Sequence, residues 1–142
     1  GTANVSGGTL TLINNAQFNN TGALNNSGAI DIQSGSVSLS GGGTSSGSFS
    51  GAGSLLVGSN YTFTSGSSIT NSHVTFSGGT ANVQGTYALI GSDTTVDGGI
   101  VNFTGAMGSG ETTGLTQRRK DAKEQRVSLL LGFSALRLGG LA

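Results

Sequence analysis

Residues able to act as acids, bases or metal ligands are scarce in the first 110 residues of this 142-residue chain. That stretch holds one histidine, His73, and no cysteine, lysine or arginine. A catalytic triad or a histidine-paired metal site needs partners that His73 lacks, so we predict that it begins a strand and lies in solvent. No catalytic and no cofactor-binding residues are predicted.

The only carboxylates in the same stretch are three aspartates. Asp31 lies between Ile30 and Ile32, and the alternation of a strand then points it outward. Asp93 and Asp97 remain as candidates for a shared cation, but the calcium-binding repeat GGxGxDxUx is absent. Because aspartate commonly caps turns, that role is the favoured interpretation of both residues. No metal site is predicted, and Asp93 and Asp97 are only weak candidates for metal ligands.

Charge divides the chain near residue 110, because all six basic residues fall after it. A β-helical polysaccharide lyase uses basic residues to bind acidic sugar, so their absence before residue 110 argues against a self-contained enzyme.

The run GGGTSSG at residues 41–47 lacks the lysine of a phosphate-binding loop, and it predicts instead a flexible corner that bulges from the fold. The basic run RRKDAK is diluted by acidic residues, and no nucleic-acid partner is predicted.

Short repeats predict the elements that position these residues. GTANV occurs at residues 1–5 and again at 79–83, and similar alternating segments recur between them. Each segment predicts a short strand with one apolar face. Three apolar columns follow at intervals of roughly twenty residues. They are Leu10, Ile30, Phe49, Ile69 and Leu89; then Phe18, Val37, Leu55, Val74 and Val96; then Leu24, a gap at Gly41 to Gly43, Tyr61 or Phe63, Val83 and Phe103.

Three apolar columns that recur together predict an all-β fold with three short strands in each coil. We predict a right-handed single-stranded parallel β-helix (β-solenoid) of about five coils over residues 1–105. Glycine and asparagine suit its corners, and the pairs Asn14-Asn15, Asn19-Asn20 and Asn25-Asn26 are predicted there. An antiparallel sandwich is disfavoured because the chain has no proline and no tryptophan.

The runs GTLTLINNAQFNNTGALNNSGAIDI (8–32) and SHVTFSGGTANV (72–83) resemble repeats of filamentous-haemagglutinin-type adhesins and autotransporter passenger domains. The resemblance implies a fragment of a secreted protein of the bacterial cell surface, with further coils on either side. It implies a structural and adhesive segment, not an enzyme, whose partner is an unidentified surface ligand such as a glycan or a cell-surface protein. The alternatives are a partial copy of a β-helical carbohydrate-active enzyme and, less favoured, an ice-binding protein suggested by Thr62 and Thr64.

After residue 105 the alternating pattern ends. Residues 106–115 are predicted to be a Gly/Thr linker, and residues 116–142 a basic and then apolar tail. This tail is predicted to be a short helical cap beginning at Thr116, or disordered, or a run of the coding frame into repetitive DNA. Its apolar part is shorter than the roughly 20 residues of a membrane-spanning helix, so no transmembrane segment is predicted.

Overall fold

The computed structural model describes residues 1–88, 93–106, 115–117 and 126–129. This part of the chain contains eighteen β-strands and no helix. The strands form three parallel sheets. Sheet I contains β1 (Thr2–Val5), β4 (Ala23–Asn26), β7 (Gly43–Ser45), β10 (Tyr61–Phe63), β13 (Thr80–Val83), β16 (Ile100–Phe103) and β18 (Arg126–Leu129). Sheet II contains β2 (Thr9–Leu12), β5 (Ala29–Ile32), β8 (Ser48–Ser50), β11 (Ser68–Ile69) and β14 (Thr86–Tyr87). Sheet III contains β3 (Ala16–Asn20), β6 (Gly35–Leu39), β9 (Ser54–Val57), β12 (His73–Phe76), β15 (Asp93–Val96) and β17 (Leu115–Gln117).

The chain visits sheets I, II and III in turn, and β1 to β15 complete five such coils. Every strand pairs in parallel with the corresponding strand of the next coil. Successive coils therefore stack at the strand spacing of about 4.8 Å, which makes the five coils roughly 24 Å tall. The predicted parallel β-solenoid of about five coils is confirmed.

The first two predicted columns are correct through the fourth coil. In sheet II the register joins Leu10 to Ile30, Phe49 and Ile69, and in sheet III it joins Phe18 to Val37, Leu55 and Val74. Both columns are wrong at the fifth coil. Tyr87, not Leu89, pairs with Ile69, and Leu89 lies outside the described residues. Thr94, not Val96, pairs with Val74, while Val96 pairs with Phe76.

A buried hydrogen bond explains how Thr94 enters the core. Its hydroxyl lies 2.6 Å from the hydroxyl of Tyr87, and both side chains are almost fully buried. Each hydroxyl satisfies the other, so the usual penalty for burying a polar group is removed. Because threonine is polar, the predicted apolar column included Val96 and not Thr94.

The predicted third column merges two columns of sheet I. Each strand of this sheet turns two residues inward, so Leu24, Gly43, Tyr61, Ala81 and Val101 form one column. A second column beside it contains Asn26, Ser45, Phe63, Val83 and Phe103. Gly43, where the predicted column had a gap, therefore occupies a position in the core. A larger side chain of a neighbouring coil fills the space that Gly43 leaves.

Tyr61 is that neighbour. It stacks between Gly43 and Ala81, whose small size leaves room for its ring. Its hydroxyl lies 3.1 Å from the carbonyl oxygen of Leu24 and 3.2 Å from that of Thr44, so the ring spans a complete coil. Burial raises the pKa of this phenol above its ordinary value of 10.0.

The raised pKa of Tyr61 predicts a loss of stability at alkaline pH. Below pH 10 the phenol is protonated in both states, but above pH 10 only the unfolded chain ionises it. The free energy of unfolding then falls as pH rises, by about 1.4 kcal/mol per pH unit from this group. Urea unfolding between pH 9 and about pH 11.5 is expected to show this slope in the wild type.

Tyr61→Phe provides the control for this titration because it removes the phenol and keeps the ring. The variant is expected to be less stable at neutral pH by about 1 kcal/mol, since it loses the hydrogen bonds of the hydroxyl. Its alkaline slope is expected to be shallower. Equal slopes in the two proteins would show that Tyr61 ionises without unfolding.

The structure of the corners confirms one prediction and corrects two others. Asn14 and Asn15 form a corner with φ values of 55° and 58°, as predicted for that pair. The pairs Asn19-Asn20 and Asn25-Asn26 instead lie within β3 and β4. The glycines at 41–43 do not bulge: Gly42 is buried, and Gly43 has a φ of 134° and begins β7.

The described part of the tail consists of strands. Leu115–Gln117 (β17) pairs with β15, and Arg126–Leu129 (β18) pairs with β16. The helix predicted to begin at Thr116 is therefore wrong for these residues, because the backbone hydrogen bonds of the sheets continue there. The remaining predictions for residues 107–114, 118–125 and 130–142 lie outside the described residues.

Candidate functional site

The residues with acid-base chemistry are spread over the solenoid surface. His73 begins β12 and is exposed, as predicted, and its register neighbours are Ser54 and Asp93. Asp31 is half-buried on the outer side of β5, where its carboxylate accepts hydrogen bonds from Ser50 Oγ at 3.4 Å and Gln33 Nε2 at 2.9 Å. Asp31 is therefore a surface carboxylate that is hydrogen-bonded to neighbouring polar side chains.

Asp93 and Asp97 are separated by β15. Asp93 is the first residue of this strand, not part of a turn, and Asp97 follows the last. Four residues of extended strand span about 13 Å, which is too far for two carboxylates to share one cation. In the described ranges, no three residues of histidine, cysteine, aspartate or glutamate come together as a metal-binding group.

The most regular surface feature is a column of uncharged polar side chains on the outside of sheet I. We call it the polar ladder; it consists of Asn4, Asn25, Thr44, Thr62, Asn82 and Asn102. Side-chain hydrogen bonds along the rod join three of the five neighbouring pairs. Asn25 Nδ2 donates to Asn4 Oδ1 at 3.2 Å, and Thr44 Oγ1 donates to Asn25 Oδ1 at 3.2 Å.

The same pattern recurs at the other end of the polar ladder, where Asn102 Nδ2 donates to Asn82 Oδ1 at 2.8 Å. These side-chain bonds order the face, because each amide is held in one orientation by the coil beside it. Asn25 was predicted to lie at a corner, but its amide stacks on a strand face instead.

Buried polar residues beneath the polar ladder hold its backbone in place. Asn26 is 2% exposed; its Nδ2 donates to Ser45 Oγ and to the carbonyl oxygen of Ser48, and its Oδ1 accepts from the amide of Gly28. These bonds join the strand to the following corner in two successive coils. The position of the outer side chains is thereby fixed from inside.

A second polar column runs beside the polar ladder, at the corner between sheets I and II. We call it the corner column; it consists of Ser6, Ser27, Ser46, Thr64, Gln84 and Thr104, each directly after a strand of sheet I. The two columns correct one detail of the ice-binding alternative. From β1 to β16, positions equivalent to Thr62 hold asparagine or threonine, and a single coil has threonine in both columns, whereas an ice-binding face needs the pair in every coil.

A groove of about 390 Å³ lies between the two columns over the first four coils. Six of the residues that line it are Asn4, Asn25 and Thr44 from the polar ladder and Ser27, Ser46 and Thr64 from the corner column. This groove was not predicted from the sequence. The sequence pattern that could have indicated it is a recurring serine or threonine between the end of a strand and a glycine, as in Asn26-Ser27-Gly28 and Ser45-Ser46-Gly47.

These features define the class of protein as a parallel β-solenoid with a column of uncharged polar side chains along the outside of sheet I. Comparison of the chain with protein-family models, curated protein sequences and solved structures finds no match to it. A search of the described residues finds no helix that is long and apolar enough to cross a membrane.

Proposed function

We propose that the chain is a non-catalytic rod within a longer secreted protein of the bacterial cell surface, and that it adheres through its hydroxyl- and amide-rich faces. The polar ladder is the observation that carries this proposal. A periodic array of neutral donors and acceptors presents the same contact at every coil, so a partner meets many weak contacts at once.

The charge distribution supports contact with other surfaces over catalysis. Of the four groups before residue 110 that could transfer protons, His73 and Asp93 adjoin on sheet III, Asp31 lies on sheet II, and Asp97 lies beyond the end of β15. The two catalytic carboxylates of glycoside hydrolases lie about 5 to 9.5 Å apart, and the extended strand separates Asp93 from Asp97 by more than that.

A bead-attachment assay tests the adhesive function. Beads coated with the chain are expected to attach to cultured cells more than beads coated with albumin. The matched variant changes Asp31, Asp93 and Asp97 to asparagine, which removes the carboxylates and retains the shape of the side chains. This triple variant is expected to attach as well as the wild type, because the proposed contact uses neutral groups.

The same two proteins separate adhesion from the enzyme alternative. Each is incubated with neutral and acidic polysaccharides, and release of reducing sugar is measured. Turnover by the wild type that disappears in the triple variant would establish an enzyme and overturn the proposal. Attachment no stronger than that of albumin would overturn it as well.

A further inference from the structure

The groove between the polar ladder and the corner column arises from corner lengths. The corners that follow β4 and β7 contain two residues each, at 27–28 and 46–47. The corners that follow β1 and β10 are longer, with residues 6–8 and 64–67. The two short corners lie between the two longer ones, so the surface is lower there. The groove is an open depression of the coil surface, and the longer corners lie at its two ends.

The backbone under the groove is paired on both sides from β4 to β10, and β1 is the end strand of sheet I. β4 is hydrogen-bonded to β1 on one side and to β7 on the other, and β7 is also bonded to β10. No strand edge is open between β4 and β10, so an extended peptide cannot add to the sheet across the groove floor there. A ligand must be recognised by side chains alone.

The side chains restrict the chemistry of that ligand. Eight of the nine lining residues are asparagine, serine or threonine, which donate and accept hydrogen bonds without charge, and the ninth is the apolar Val5. No lysine or arginine occurs before residue 118, so an anionic ligand such as nucleic acid or an acidic sugar has no cation to meet in the described coils. The fitting ligand is neutral and offers many hydrogen-bonding groups in an extended form.

We infer that the groove binds a short segment of a neutral oligosaccharide. A saccharide chain presents hydroxyl groups on every ring, and the groove presents polar side chains on both walls in its first three coils and Thr64 in the fourth. From the first to the fourth coil it runs for about 14 Å at the strand spacing, which suits a few sugar rings. The inference rests on the proposed adhesive function and names the ligand class of one part of the adhesive surface.

The lining residues place limits on the strength of this binding. Among the residues that line the groove there is no aromatic ring on which a sugar can stack, so hydrogen bonds supply most of the affinity. A single groove is therefore a weak site, and stable attachment requires many copies at one surface. Weak sites displayed in many copies are consistent with a role in adhesion.

NMR titration of the ¹⁵N-labelled chain with neutral trisaccharides tests the inference. The probes are maltotriose, cellotriose and laminaritriose, with trigalacturonic acid as the charged comparison. At least one neutral trisaccharide is expected to shift the amide signals of Asn25, Thr44 and Ser46 in a saturable manner. The inference is overturned by the absence of saturable shifts, by shifts located on other faces, or by tighter binding of trigalacturonic acid.

A pair of double variants locates the site. Thr44→Val with Ser46→Ala removes two hydroxyl groups from the groove and is expected to raise the dissociation constant about tenfold. Thr75→Val with Ser36→Ala makes the same changes on the outside of sheet III and is expected to leave it unchanged. The control variant should unfold at the wild-type urea concentration, because Thr75 and Ser36 are half-exposed. The groove variant loses the exposed hydrogen bond from Thr44 to Asn25, so its free energy of unfolding is expected to fall by no more than about 1 kcal/mol. Equal dissociation constants for the two variants would overturn the inference.

Bead attachment distinguishes the two proposals. If the groove variant binds no sugar and its beads still attach to cells, the adhesive function stands with contacts outside the groove. If the wild type binds a trisaccharide and its beads do not attach, the sugar site stands and the adhesive function fails.

Discussion

Gly47→Ala is expected to lower the free energy of unfolding by about 3 kcal/mol or more. Gly47 lies at the corner between sheets I and II, and a Cβ atom there would be 2.0 Å from the carbonyl oxygen of Gly28 in the preceding coil. That oxygen cannot move aside, because it accepts a hydrogen bond of 3.0 Å from the amide of Ser48. The added methyl group must separate two coils or break their ladder. Urea unfolding followed by circular dichroism measures the loss.

Gly8→Ala is the matched control for this prediction. Gly8 lies at the equivalent corner of the first coil, and a Cβ atom there would have no neighbour within 4 Å. Its substitution is expected to change the free energy of unfolding by no more than about 0.5 kcal/mol. If both variants unfold at the same urea concentration, the close approach of the coils does not limit this corner.

Phe63→Ala is expected to cost about 4 kcal/mol, the usual range for removing a buried aromatic ring. Phe63 is fully buried in the fourth coil, with its ring centroid 4.6 Å from that of Tyr61 and 5.7 Å from that of Phe49. Each coil of a solenoid is stabilised by its direct neighbours, so a cavity in a middle coil weakens the contacts on both sides. Thermal and urea unfolding are expected to show the loss.

Phe18→Ala tests the same loss of a ring in the first coil. Phe18 packs against the core but is only partly buried, so less apolar surface returns to water. Its substitution is expected to cost about 1 kcal/mol. Equal losses for the two variants would contradict the placement of Phe63 at the centre of the core.

The fold was predictable because the strands repeat, and the errors occur where corners change length or polar groups enter the core. The interval between Ile69 and Tyr87 is shorter than the earlier intervals in that column, so a constant period selects Leu89. Gly43 escaped detection for a different reason. Its small size is useful only because Tyr61 fills the space above it, and that pairing depends on the register of two coils.

The candidate site was predictable in composition and not in position. A hydroxyl- and amide-rich surface follows from the residue types, but Asn25 was assigned to a corner and the corner column was not recognised. Whether Asn25 faces out and Asn26 faces in depends on where β4 begins, since a shift of one residue exchanges the two faces. The groove depends in turn on differences of one or two residues between corners, which become visible only when the coils are stacked.

The stacking of coils determines how the rod responds to a mechanical pull. The backbone hydrogen bonds between coils run along the rod axis, because each strand bonds to its counterpart in the next coil. Tension along that axis therefore acts first on the outermost coil, and the bonds of the inner coils are loaded only after it detaches. Each detached coil of about twenty residues releases roughly 65 Å of extended chain. A tether of this design lengthens in small steps under flow, and the coils that stay folded keep their polar ladder intact.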